Sequence, residues 1–288
     1  MARVLAVGIA TLDIINSVEC YPAEDDEMRA ISQRMCRGGN ATNTLAVLSQ
    51  LGHACHWAGV MVDEPDARHI EVDLEKYDID IRAVLRLEQG KVPTSYITHN
   101  LANGSRTIVH YRDLPEYPFE QFQQVDLSRF DWLHLEGRNV HETRQMLDWA
   151  KQYAPDLPCS IEIEKERDDI EQLFELANVL LFSRAYAQGR GYQNAISFLA
   201  AMRPRCKVSQ LVCAWGEAGA WAMDEVGEYH SAAFIPARVA DTLGAGDTFN
   251  AGMIDALVHG QDLAVALEHA CRLAGRKCGH HGLDFVNG

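Results

Sequence analysis

Short apolar runs alternate with segments of helical spacing along most of the chain, and no other feature constrains the fold as much. Residues 4–7 are a compact apolar run ended by Gly8. A run with no polar face is how a strand reads when helices cover both sides of its sheet. ATNTLAVLSQL (41–51) then has helical spacing and stops at Gly52. Strands follow at 54–60, 131–135, 159–163, 179–182 and 210–214. Helices follow at 69–77, 143–153, 170–176, 195–201, 248–258 and 263–278. Strand–helix alternation of this kind predicts βαβ units and an α/β fold with a mostly parallel central sheet flanked by helices.

Two segments break the rhythm. Residues 17–35 contain Pro22 and the acidic cluster Glu24-Asp25-Asp26-Glu27, which reads as a solvated loop. Residues 94–111 alternate in type around Asn103-Gly104. Asn-Gly between alternating runs signals a hairpin, because both residues tolerate positive φ. The expectation is two antiparallel excursions that form a small β-sheet lid over a cleft. The lid takes 14–36 and 92–112, and the α/β body takes 1–13, 37–91 and 113–288. A small sheet with an apolar face is marginal in water, so the lid is expected to pair with a second copy and make a homodimer.

The formal net charge is −15. That argues against nucleic acid or anionic membrane as a partner, since both select basic surfaces. The apolar start carries Asp13 and reads as a buried strand rather than a signal peptide, and no apolar run is long enough to span a membrane. Eight scattered cysteines, with no C-x-x-C pair, read as free thiols in a reducing, cytoplasmic setting. Cys271 and Cys278 share a helix face and read as core packing. His280-His281 reads as polar surface.

Chemistry concentrates in two stretches. In DTLGAGDTFNAG (241–252), Gly244-Ala245-Gly246 precedes an apolar-periodic helix. Small residues at a helix start leave backbone N–H groups pointing into open space, where the helix dipole also favours an anion. Asp247 falls in the first helical turn. An acid there complements the dipole in any case, but a cap needs no G-x-G before it. A phosphate cradle does, and a base beside the cradle can deprotonate an attacking hydroxyl. The stretch is neither a Walker loop nor a dinucleotide fingerprint. In RGGNATN (37–43), two glycines precede a helix whose first turn carries Asn40 and Asn43 on one face. Carboxamides both donate and accept, which suits sugar hydroxyls, although an asparagine N-cap after a glycine turn accounts for the pattern equally well. Asp13, after the first strand, sits where parallel sheets meet ligands.

Together these stretches resemble the ribokinase-like (PfkB) carbohydrate kinase family. RGGNATNTLAVLSQLG is similar to its N-terminal signature and DTLGAGDTFNAG to its C-terminal one, and their order and separation agree. Within the family the likeness is to the ketohexokinase branch, animal-type fructokinases, on HLEGRN (134–139), IEIEKERDDIEQLF (161–174), LVCAWGEAGA (211–220) and AGRKCGHHG (274–282). The resemblance implies ATP-dependent phosphorylation of a free sugar, with fructose at its 1-hydroxyl as the expected substrate. The alternatives are another sugar or nucleoside, or a sensor that kept the fold without the reaction.

It also implies roles. Asp247 would be the base, and Gly244, Ala245 and Gly246 the anion hole. Asp13, Gly39, Asn40 and Asn43 would hold the sugar, joined by Glu136 and by Arg106 reaching over from the lid. Trp215, Gly216, Glu217 and Gly219 would border the nucleotide, with Cys271 near the adenine. Magnesium would accompany ATP, and the family leaves room for potassium near the C-terminal motif. Many members carry Asn-x-x-Glu where this chain reads Ser183-Arg184-Ala185-Tyr186, which leaves the metal's protein contact unassigned and suggests Arg184 for phosphate oxygens. Ketohexokinases share that departure. Arg138 is the nearby cation that could meet a phosphosugar, and Glu136 is expected to neutralise it.

Overall fold

The computed structural model describes residues 1–206 and 210–286. Strands are β1 (Arg3–Val7), β2 (Thr11–Val18), β3 (Ser32–Gly38), β4 (Ala54–Ala58), β5 (Val60–Val62), β6 (Leu85–Leu87), β7 (Thr94–Asn100), β8 (Arg106–Tyr111), β9 (Trp132–Glu136), β10 (Cys159–Ile163), β11 (Val179–Phe182), β12 (Gln210–Ala214), β13 (Ala220–Met223) and β14 (Glu228–Ser231). Helices are α1 (Asn40–Gln50), α2 (Ala67–Lys76), α3 (Phe119–Phe122), α4 (Val140–Tyr153), α5 (Arg184–Gly189), α6 (Ala195–Met202), α7 (Ala245–Val258) and α8 (Leu263–Cys278).

Among the described residues the large sheet runs β14-β13-β12-β11-β10-β9-β1-β4. From β12 through β4 every pair is parallel, as continuous apolar runs require. β13 and β14 add an antiparallel edge. β9, β10 and β11 are buried along their whole length. α7 and α8 pack closely because Gly252 has no side chain: a Cβ there would lie 2.7 Å from Ala270 Cα.

The second sheet runs β3-β2-β7-β8. Both excursions are antiparallel as expected, β2 with β3 and β7 with β8. They join in one small sheet, as expected, but the parallel strand pair that joins them was not anticipated. β2 and β7 pair in parallel from Leu12↔Thr94 to Val18↔Asn100, making one sheet of the two. Asp13 is consequently not at the end of the first strand but inside β2. Two local readings also change. The 54–60 run divides at Gly59, where a Cβ would meet Trp57 Cζ2 at 2.2 Å, and the segment expected to be helical over 170–176 is a short 3₁₀ turn, Ile170–Leu173.

Candidate active site

The carboxyl ends of β1, β9 and β10 converge on the N-termini of α1 and α7. α7 starts after Gly244, whose φ of 75° suits glycine, and a Cβ at Gly246 would meet open space. Ala245 N donates to the Thr242 carbonyl oxygen at 3.3 Å, which leaves the amides of Gly246 and Asp247, without an acceptor inside the helix, beside that opening. Asp247 follows, buried, and its Oδ2 accepts a hydrogen bond from Asn43 Nδ2 at 2.7 Å. Thr44 Oγ1 donates to the Asp247 carbonyl at 3.2 Å, so two adjacent residues of α1 grip the start of α7. Residues 204 apart in sequence therefore meet, as their expected roles require.

Gly39 makes the other turn. Its φ is 100°, and a Cβ would lie 2.1 Å from the Ile9 carbonyl oxygen. Asn40 Nδ2 donates to Glu164 Oε2 at 3.4 Å. Asn43 Oδ1 accepts from Arg37 Nη1 at 2.8 Å, and Arg37 Nε donates to Asp73 Oδ2 at 2.6 Å. Asp13 lies across the pocket from them, its Oδ1 accepting from Thr11 Oγ1 at 2.9 Å, and burial raises its carboxyl above the usual range.

Glu136, expected against the sugar, turns Oε1 to the backbone instead. It accepts from Ala41 N at 2.8 Å and Ile9 N at 3.2 Å, tying the start of α1 to the turn after β1. Burial pushes it up to about 7. Arg138 is neutralised by Glu136, as expected, with Oε2 at 3.7 Å, and also by Glu116, 3.1 Å away. Arg106 sits by the hairpin tip, opposite His99 and four residue pairs along from the Ser95–His110 row that flanks Asp13. The structure does not bring it to Asp247.

On the other flank, Arg184 begins α5 with its guanidinium against Gly216: a Cβ on that glycine would be 3.3 Å from Nη1. Trp215 through Gly219, Glu217 included, form the turn from β12 to β13. Gly219 has φ 93°, and a Cβ there would lie 2.0 Å from the Ser231 carbonyl oxygen. Cys271 Sγ points to that same oxygen at 3.8 Å. The expected nucleotide residues thus gather around one rim. Ser183 caps α5, accepting from Tyr186 N at 2.9 Å and donating to the Glu164 carbonyl at 2.5 Å.

Sequence reading missed one acid. Glu162 projects from β10 into the same buried space, and its Oε2 has no hydrogen-bond partner among the described residues. Burial, with the negative charges of Asp247, Glu136 and Glu164, raises it far above the usual carboxylate range. The available signal was IEIE itself, where charge interrupts an otherwise apolar strand. Asp247 is raised likewise, first by burial, to about 7, with Asn43 and Arg37 opposing.

A matching family model, described as pfkB family carbohydrate kinase, spans residues 1–287. The chain belongs to the pfkB carbohydrate kinase family. It is a phosphotransferase acting on an alcohol. Ketohexokinase of Mus musculus is 42% identical over 293 aligned positions, 99% of this chain and 98% of that enzyme. Fructosamine kinase FrlD of Bacillus subtilis (strain 168) is 25% identical, covering 85% of this chain and 84% of its own. Among solved structures, Giardia lamblia ribokinase superposes with a TM-score of 0.84 at 13% identity, covering 99% of this chain and 95% of its own. Arabidopsis thaliana ribokinase, complexed with ribose and ATP, gives 0.79 at 16%, covering 98% and 94%. These structural likenesses establish the pfkB kinase fold as ribokinase-like.

The acid cluster makes a prediction about stability. A carboxyl whose folded pKa is raised adds stability below its ordinary pKa, near ~4.3 for Glu, and loses that contribution as pH rises through the folded value. Glu162→Gln cannot ionise, so it should leave the melting temperature near pH 4.5 almost unchanged and raise it at pH 8. Relieving one buried like-charge contact is worth on the order of 1–2 kcal/mol, or about 2–8 °C. Calorimetry of the ligand-free protein at both pH values checks this, and a lower melting temperature at pH 8 would contradict it.

Proposed function

We propose that the protein transfers the γ-phosphoryl group of ATP to the 1-hydroxyl of free fructose. The observation that carries this reading is Asp247: a buried, elevated carboxylate held by Asn43 beside the open Gly244–Gly246 turn. The fructose assignment is supported by the likeness to a ketohexokinase across nearly the whole chain. Asp13, Asn40 and Asn43 offer the donors and acceptors that hydroxyls need. In the transfer, Asp247 takes the hydroxyl proton as that oxygen bonds to the γ-phosphorus. The bond from phosphorus to the β–γ bridging oxygen breaks, and ADP leaves. The amides of the α7 first turn stabilise the charge on the moving group. Arg184 and the Trp215–Gly219 turn, with Cys271 behind, form the ATP side.

Magnesium entering with ATP fits this chain. Glu162 Oε2, buried and unpartnered among the described residues, suits a metal-bound water, and half-exposed Glu164 would hold the ion. The ion supplies charge neutralisation to the phosphates. For potassium the fit is poor at Asp241, whose carbonyl oxygen already accepts from the buried Lys277 ammonium at 2.7 Å. Eight free thiols suit a reducing, cytoplasmic setting, and among the described residues no helix is long and apolar enough to cross a membrane. A turnover assay over fructose, tagatose, ribose, adenosine and fructose 6-phosphate tests the substrate. Fructose should have the highest kcat/KM, and preference for fructose 6-phosphate or a nucleoside would overturn the assignment.

The lid also supports a homodimer. Met35, Ile14, Tyr96 and Val109 lie in register across all four lid strands on one face. Three of them are exposed, Val109 at 65%. An apolar row of this kind on a small sheet suits a partner's equivalent row. Sedimentation at micromolar concentration should give a dimer, and Val109→Asp should give a monomer that still folds. A wild-type monomer would refute the dimer alone.

A further inference from the structure

Arg37 is linked to the base through the side chain of Asn43. It is 5% exposed and anchored on three sides. Nε donates to Asp73 Oδ2 at 2.6 Å, and Nη1 donates to Thr42 Oγ1 at 2.9 Å and to Asn43 Oδ1 at 2.8 Å. A guanidinium has only donors, so the Asn43 atom facing it must be the carbonyl oxygen. The Asn43 amide nitrogen is then the atom left for Asp247, 2.7 Å away. An NH₂ group can only donate, and a carboxylate can only accept.

We infer that Arg37 is a positioning residue for phosphoryl transfer: braced by Asp73, it locks the Asn43 carboxamide with its nitrogen toward Asp247 and so presents the base as a hydrogen-bond acceptor. This rests on the reading of Asp247 as the base, and it adds a chain from the surface of α2 to the reacting group. With the lock gone, the carboxamide can turn and offer its oxygen, which only a protonated Asp247 can meet. The other groups facing Asp247 oppose the ionised form. They are Glu136 on β9, Glu162 on β10 and Glu164 just beyond it. Asn43, held in one orientation, is the local counterweight, and Arg37 adds its own positive charge.

The test follows the Asp247 carboxyl carbon by NMR in ligand-free, metal-free protein labelled with ¹³C-aspartate, the signal being assigned by its loss in Asp247→Asn. Arg37→Met should raise the titration midpoint by about one pH unit or more. Part of any such shift is lost charge, so the same substitution is repeated in Asn43→Ala protein. The shift should fall to half or less there, because the carboxamide that transmits it is gone. Equal shifts in both backgrounds, or none in either, would overturn the proposal. Should Arg37→Met not fold, Asp73→Ala on half-buried α2 replaces it. Removing that negative charge alone would lower the midpoint, so a rise supports the lock and a fall or no change refutes it. The titration needs no turnover. If the protein proves inactive on every sugar, the substrate reading fails while this measurement still decides the role of Arg37.

Discussion

Asp247→Asn is expected to lower kcat by a factor on the order of 10² to 10⁴ while leaving fold and sugar affinity in place. The amide has the shape of the acid but cannot take a proton. Asn43 Nδ2 can still donate to it, so the grip of α1 on α7 survives. The melting temperature should rise above neutral pH, because a buried carboxyl held up to about 7 is removed. The wild type should correspondingly lose kcat/KM as pH falls below about 7, since only the ionised carboxylate accepts the hydroxyl proton. Steady-state kinetics and calorimetry on both proteins check this together. A variant keeping more than about a third of wild-type turnover removes Asp247 from the role.

Gly39→Ala should be nearly as damaging, through geometry alone. The residue has φ 100°, and a Cβ would meet the Ile9 carbonyl oxygen at 2.1 Å, the Ile9 carbonyl carbon at 2.9 Å and Ala10 Cα at 3.0 Å. All three are backbone, so no side chain can swing away. Backbone strain of about 1–3 kcal/mol adds to overpacking of similar size, a loss of roughly 5–15 °C in melting temperature. The start of α1 must shift, carrying Asn40 and Asn43 with it. A displacement near 1 Å at such groups costs about 10²-fold in turnover. Gly52→Ala is the control. Its φ is 92°, but a Cβ there meets nothing within 4 Å. It should cost about 1 kcal/mol and leave kcat/KM alone. Similar activity losses in both variants would show that the Gly39 crowding is not what matters.

The α/β body was legible because its strands bury both faces. Runs such as those of β1 and β10 need no partner to be recognised. β13 and β14 escaped notice for the opposite reason: Ala220–Met223 and Glu228–Ser231 are short, and the second is polar, as edge strands are. The Asn103-Gly104 turn announced the β7–β8 hairpin. Nothing local announced that β2 and β7, some eighty residues apart, pair in parallel, and that pairing is what places Asp13 within a strand. In the candidate site, Asp247 and Asn43 were singled out because their glycine turns have a mechanism, and the structure brings the two side chains together. Glu162 was passed over because its strand IEIE runs into the charged stretch KERDD, where one more acid carries no mark. Glu136 was assigned to the sugar by kind of residue, whereas its Oε1 is bonded to two backbone amides. Those bonds depend on how β9 meets α1, which residue type does not reveal.

The central claim is that Asp247 activates one particular hydroxyl of a free ketose. It is tested most directly by incubating uniformly ¹³C-labelled fructose with ATP, magnesium and the protein, and reading the product by NMR. The account predicts carbon–phosphorus coupling at C1, appearing with wild type and absent on the same timescale with Asp247→Asn. Coupling at C6, or equal product from both proteins, would contradict it.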